Sequence, residues 1–282
     1  METATLLIRC PDTKGIVAKI SSFLFRHDVN IIQSDQHSFG TESPTFFMRV
    51  EFLFDPEKVS REAIGSDFGV IASQINAKWQ IHYASTVMNM GILVSRQDHC
   101  LFDLIYRWRS GELRVNIPFV ISNHPDVGGL VEQFGIPFHH VPVGDDKREQ
   151  EKEILRIAKD TSDFLVLARY MQILSPFLLS EYKKDIINIH HSFLPSFKGA
   201  NPYRQAYNRG VKVIGATAHF VTADLDEGPI IEQVVERVSH RDDEKMMKKK
   251  GKNLEKLALA NAIGLYSEHR IIRFQNKTIV FS

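Results

Sequence analysis

The chain has 282 residues, 43% apolar and 24% charged, with 35 Lys+Arg against 34 Asp+Glu. That length suits two domains better than one, and the near balance of charge excludes a generally basic binder of nucleic acid or anionic membrane. Two cysteines, Cys10 and Cys100, far apart and without C-x-x-C spacing, exclude a disulfide framework and a cysteine-rich metal site.

The first segment, residues 1–84, reads as a βαββαβ unit. Thr3–Cys10 is an apolar run that stops at Pro11-Asp12, as a strand entering a turn does. From Thr13 the spacing becomes helical: Ile16, Ile20, Phe23, Leu24 and His27 fall on one face, with Asp12 as the expected N-cap. Val29–His37 and Thr45–Phe54 follow as strands, then a helix over Pro56–Asn76, interrupted by Gly65 and Gly69, and a closing strand Ala77–Ala84. This order is the ferredoxin-like split unit, two helices on one face of an antiparallel sheet.

The second segment, residues 85–282, restarts with Met88–Ser95, a continuous apolar run of the kind found in buried parallel strands. Strands at Val115–Ser122, Phe138–Val141, Phe164–Ala168 and Ile186–Ile189 alternate with helical stretches, which predicts a Rossmann-like, mostly parallel α/β sheet. Two longer strands, Val213–Thr222 and Ile230–Val238, precede a helix over Asp242–Ser267, whose Lys245–Lys252 run is expected on its solvated face. A last hairpin, Arg270–Phe274 and Thr278–Phe281, ends the pattern. The opening METATLLIRC does not read as a signal peptide, and no stretch nears the ~18 apolar residues of a membrane span, so a cytoplasmic protein is expected.

Two stretches carry chemistry. In Ile186-Ile187-Asn188-Ile189-His190 an apolar strand ends in Asn-x-His, and the two-residue period of a strand points Asn188 and His190 the same way. The following loop carries Pro195 and Gly199. In the second stretch, His219 leads through an acidic turn to Asp226-Glu227-Gly228-Pro229. Hydrolysis of an amide-type bond needs a donor for the developing oxyanion, a proton carrier and an orienting carboxylate, which an Asn, a His and an Asp supply. Each residue also has an ordinary structural role, as cap, core histidine or turn former, and spacing alone leaves both readings open.

Asn188-x-His190-x-Ser192-x-Leu194-Pro195 and His219-x-Val221-x-x-x-x-Asp226-x-Gly228-Pro229-Ile230 resemble the two signatures of the folate-dependent formyltransferase family, over about residues 88–282. The resemblance implies Asn188, His190 and Asp226 as catalytic residues. It also implies a folate site formed by Arg169, Tyr170, Met171, Ile173, Leu174, Ile189 and Gly228. Family members that formylate glycinamide ribonucleotide hold its phosphate on a Gly-rich loop after the first strand; here that loop reads Ser95-Arg96-Gln97-Asp98, without glycine and with an anion. Members that formylate methionyl-tRNA carry a further RNA-binding domain, whereas about 50 residues follow Gly228 here. The resemblance therefore implies water as acceptor: hydrolysis of 10-formyltetrahydrofolate to formate and tetrahydrofolate, feeding one-carbon and purine metabolism. The alternative is formyl transfer to an amine such as glycinamide ribonucleotide.

Asp12-x-x-Gly15-Ile16-Val17, followed by Val29-Asn30-Ile31, resembles the ACT family of amino-acid-binding regulatory domains. That implies an effector site with Gly15, Asn30 and Ile31, an amino acid as effector, and assembly into a homo-oligomer. No cofactor and no metal is expected: His99, His139, His140, His190, His191 and His219 are numerous but show no metal-ligand spacing. No nucleic-acid or membrane partner is expected either. His191, next to His190 on a strand, is expected to face the opposite side.

Overall fold

The computed structural model describes residues 1–196 and 202–281. It comprises β1 (Glu2–Pro11), α1 (Ile16–Arg26), β2 (Asn30–Phe39), β3 (Thr45–Phe54), α2 (Arg61–Gln74), β4 (Lys78–Tyr83), β5 (Met88–Val94), α3 (His99–Arg109), β6 (Val115–Asn116), β7 (Val120–Ser122) and α4 (Gly128–Gln133). The chain continues with β8 (Phe138–His140), α5 (Lys147–Ala158), β9 (Phe164–Leu167), α6 (Pro176–Tyr182), β10 (Ile186–His190), α7 (Pro202–Arg209), β11 (Val213–Phe220), β12 (Ile230–Arg237), α8 (Glu244–Ser267), β13 (Ile271–Phe274) and β14 (Lys277–Val280). It divides into two compact units. The first holds Met1–Val87, Glu268–Ile272 and the residues from Ile279 on; the second holds Met88–Ser267 and Arg273–Thr278.

The first unit is an antiparallel sheet of order β2-β3-β1-β4. Alternate residues of β1 and β3, such as Leu6, Ile8, Val50 and Phe52, are buried with Ile16, Ile20, Phe23 and Leu24 of α1 and Ile64 and Phe68 of α2. Burial of each such side chain contributes about 1.5–3 kcal/mol, which fixes both helices. The N-cap of α1 is Gly15, at φ +90°, and not Asp12. The helix starts at Ile16, too far on for the Asp12 carboxylate to reach its first amides, and Asp12 instead bonds through its own N–H to Pro44 O at 2.8 Å. Ser60 caps α2, its Oγ accepting from Ala63 N at 3.1 Å. Sequence patterning assigns residues 85–282 to the second unit, yet Glu268–Ile272 group with the first. Arg49 donates to the carbonyls of His269 and Glu268, and the His82 and His269 rings stack at 3.6 Å.

The second unit is built on a sheet of order β12-β11-β10-β9-β5-β7-β8. From β8 to β10 the pairs are parallel, while β10-β11 and β11-β12 are antiparallel. The expected strand Val115–Ser122 is two pieces, β6 and β7, because Pro118 has no N–H for the ladder. In order along the sheet, the chain leaves β5 towards β7 and β8, then returns to β9 on the other side of β5. In open α/β sheets that reversal opens a crevice beyond the carboxyl ends of the strands, between β5 and β9.

Candidate active site

The cleft sits at that reversal. Its lining comes from the loop after β5 (Gln97), the stretch after β9 (Arg169–Leu174) and the end of β10 (Asn188–His191). The turn after β11 (Val221–Asp226), Tyr203 of α7, and Lys248, Lys252 and Glu255 of α8 complete it, around a volume of about 540 Å³. Arg169 and Asp226, at φ +65° and +56°, hold left-handed backbone conformations, which costs a non-glycine residue roughly 1–2 kcal/mol and turns both side chains out of the strand path.

Asn188, His190 and Asp226 all line this cleft. His190 Nδ1 lies 3.2 Å from Asp226 Oδ1. A carboxylate only accepts, so Nδ1 carries the proton and Nε2 of the neutral ring is a lone pair. Nε2 is buried and has no hydrogen-bond partner among the described residues. Burial pushes the Asp226 carboxyl up, but the hydrogen bond from His190, with the imidazole of His219 beside it, outweighs that and holds the group well below the usual carboxylate range. Asp226 is therefore an anion at neutral pH.

Asn188 and His219 face each other across the β10-β11 ladder. His219 Nδ1 donates to Phe220 O at 2.9 Å, since that carbonyl only accepts, which leaves His219 Nε2 to accept from Asn188 Nδ2 at 3.2 Å. One amide hydrogen of Asn188 is so committed, and the second is left for a ligand. His219 Nε2 is also 3.7 Å from Asp226 Oδ1. It thus holds the amide of Asn188 and stands beside the carboxylate, a role that the spacing of the motif alone does not assign.

Of the residues expected to bind folate, Arg169, Tyr170, Met171, Ile173, Leu174 and Ile189 line the cleft; Gly228 does not. Tyr170 and Leu174 are buried beneath it, whereas Met171 and Ile173 expose most of their apolar surface. Gly228 is needed for packing: a Cβ there would run into the backbone carbonyl of Phe220. Gly199 lies outside the described residues.

His191 lines the same cleft as His190, contrary to the strand alternation, because β10 ends at His190 and the two-residue period stops there. The same cleft holds a buried ionic cluster that sequence reasoning missed. Glu255 accepts from Tyr203 Oη and His99 Nε2, both at 2.7 Å, with Arg169 Nε at 3.5 Å. Arg169 in turn donates to Gln97 Oε1 through Nε and Nη2, at 3.1 and 2.8 Å. Burial raises the Glu255 carboxyl, but the His99 hydrogen bond, the Arg169 charge and the Tyr203 hydrogen bond bring it below its ordinary value. His99, Cys100 and Glu255 are the one group of metal-ligand types in mutual reach among the described residues. The Arg169 cation already answers that carboxylate, so the group fits an internal ion pair better than a metal. The Lys245–Lys252 run is not wholly solvated either, since Lys248 and Lys252 line the cleft.

In the first unit, Gly15 follows the end of β1, while Asn30 opens β2 and pairs with Leu53, itself opposite Thr3 at the start of β1. Gly15 and Asn30 therefore lie at opposite ends of the sheet, about 16 Å apart over the length of α1. Asn30 and Ile31 are exposed on the edge strand.

The formyl transferase family model matches residues 88–263, and the ACT domain model residues 4–63. A formyltetrahydrofolate deformylase of Synechocystis is 50% identical over 99% of each chain. One of Bacillus subtilis is 47% identical over 98% of this chain and 93% of its own. The crystal structure of a formyltetrahydrofolate deformylase from Pseudomonas syringae superposes with a TM-score of 0.93 at 47% identity, over 100% of this chain and 95% of that one. Glycinamide ribonucleotide transformylase 1 from Symbiobacterium toebii gives 0.67 at 28% identity, over 71% of this chain and 97% of its own.

Proposed function

Because the chain belongs to the formyl transferase family and carries an ACT domain in front, we propose that it hydrolyses 10-formyltetrahydrofolate in this cleft, with Asn188, His190 and Asp226 as the working groups. The observation that carries the reading is the His190–Asp226 contact of 3.2 Å, with Nε2 left without a protein partner, in a chain alike over its full length to deformylases.

The residues divide the chemistry as follows. Water attacks the formyl carbon while His190 Nε2 takes its proton, and the adjacent Asp226 carboxylate answers the imidazolium that forms. The free amide hydrogen of Asn188 donates to the formyl oxygen as it becomes an oxyanion. Collapse of the tetrahedral intermediate breaks the C–N10 bond, and His190 returns the proton to N10. The products are tetrahydrofolate and formate, with one proton released to solvent. Met171, Ile173 and Leu225 offer uncovered apolar surface for the flat rings of the folate.

The amino-acid effector expected of the ACT domain, assembly into a homo-oligomer and a cytoplasmic location belong to the same proposal. Separation of Gly15 from Asn30 within one copy supports an effector site shared between copies. Among the described residues no helix is long and apolar enough to cross a membrane. The test is formate release from 10-formyltetrahydrofolate with no added acceptor, with and without glycine or methionine. Tetrahydrofolate and formate should appear in equal amounts. Dependence of turnover on an added amine would overturn hydrolysis in favour of transfer, and no response to any amino acid would overturn the effector.

A further inference from the structure

We propose that His191 is a further catalytic residue, holding the attacking water against His190 and so making water the acceptor. The inference rests on the hydrolytic reading above. His191 lines the cleft beside His190, with ring centroids 5.2 Å apart and planes tilted by 39°. In the proposed arrangement one water oxygen sits about 2.8 Å from a nitrogen of each ring. The ring of Tyr203 lies 6.2 Å from that of His191, tilted by 54°. Neither ring nitrogen of His191 makes a hydrogen bond to any described residue, although the side chain is substantially buried.

The neighbouring polar groups are already committed. Glu255 is satisfied by His99 and Tyr203, and Arg169 by Gln97 and Glu255. Burial, followed by the charge of Arg169, pushes the His191 imidazole down to about 4, so the ring is neutral near pH 7. A neutral imidazole has one N–H and one lone pair, so it can receive a hydrogen bond from water or donate one to it. With His190 accepting the proton that leaves, a donor N–H from His191 to the water oxygen fixes the direction of attack. The water O–C bond forms, its proton passes to His190, and His191 ends unchanged. A larger amine nucleophile, fixed by its own contacts or by mass action, has no need of this hold.

The experiment compares wild type with His191→Ala on two acceptors, water (formate released) and added hydroxylamine (formohydroxamate formed), from the same 10-formyltetrahydrofolate. Formate release in the variant should fall about 100-fold, the size expected for a lost positioning contact. KM for the folate should stay within about 3-fold, and the hydroxamate rate close to wild type. His191→Phe, which keeps a ring against Tyr203 but has no nitrogen, is read by the same ratio should alanine disturb the fold. Formate release within about 3-fold of wild type, or equal loss with both acceptors, overturns the role of His191. Wild type that releases no formate overturns the underlying hydrolytic reading instead, so the two failures are separable.

Discussion

Asp226→Asn is the cleanest perturbation of the proposed mechanism. Asn tolerates the left-handed conformation that position 226 holds at φ +56°, so the turn need not move, and the side chain keeps its size. What is lost is a negative charge 3.2 Å from His190 Nδ1. Unit charges at that separation interact by about 5 kcal/mol at an effective dielectric of 20 and by about 1.3 kcal/mol in bulk water. The carboxylate side chain is only 14% exposed, which places the loss nearer the upper figure. An amide can also present its N–H to Nδ1 and hold the ring in the wrong tautomer, leaving Nε2 protonated and useless as a base. Together these give an expected fall in kcat of about 10³–10⁴-fold, in line with the loss on the same exchange in a Ser-His-Asp triad. The assay is steady-state formate release, alongside thermal unfolding. The folate KM should change little, because Asp226 is not asked to bind the ground state. Activity within ten-fold of wild type, at unchanged melting temperature, would refute the reasoning.

Asn188→Ala removes the oxyanion donor and should cost about 10²–10³-fold in kcat, with a smaller change in KM; equal kinetics in a stopped assay would exclude that role. Gly228→Ala should act on stability and not on folate binding, losing about 2 kcal/mol or more by urea unfolding, since the new Cβ meets the Phe220 carbonyl. A raised KM with unchanged stability would instead return Gly228 to the binding surface. In the first unit, burial lowers the His82 imidazole, and burial together with the charge of His82 pushes that of His269 down to about 3. Between that value and the unfolded one of about 6.5, the unfolded chain binds more protons, so stability falls as pH falls, by about 2 kcal/mol near pH 5 for His269. Melting curves from pH 7 to 5 should show the decline, and His269→Phe, which keeps the stack without titrating, should flatten it.

Asn188 and His190 could be read from a linear pattern because a strand projects every second residue to one face, and both fall inside β10. The same rule failed one residue later, where β10 ends and His191 turns into the cleft. Asp226 was legible as a turn carboxylate. Its contact with His190 was not, since it depends on the antiparallel pairing of β10 with β11, which nothing local in either segment specifies. Glu255 was invisible for a related reason: on a helix rich in Lys it looks like one more surface charge, and only the arrival of His99, Tyr203 and Arg169 from three other segments makes it a buried anion. Among the elements, the apolar run Val115–Ser122 concealed its break, although Pro118 was the signal for it.

The Asn188–His219 pair sits in direct register on neighbouring antiparallel strands, and His190 is opposite Thr217. Thr217 Oγ1 in turn accepts from Leu194 N and donates to Ser192 O. Mutual placement of the amide and its imidazole partner is therefore indifferent to how much chain joins the two strands. Variation in the length of α7 can accumulate without moving either group. Loss of one residue inside β10 or β11 would swing alternate side chains to the opposite surface of the sheet and dismantle the arrangement in a single step.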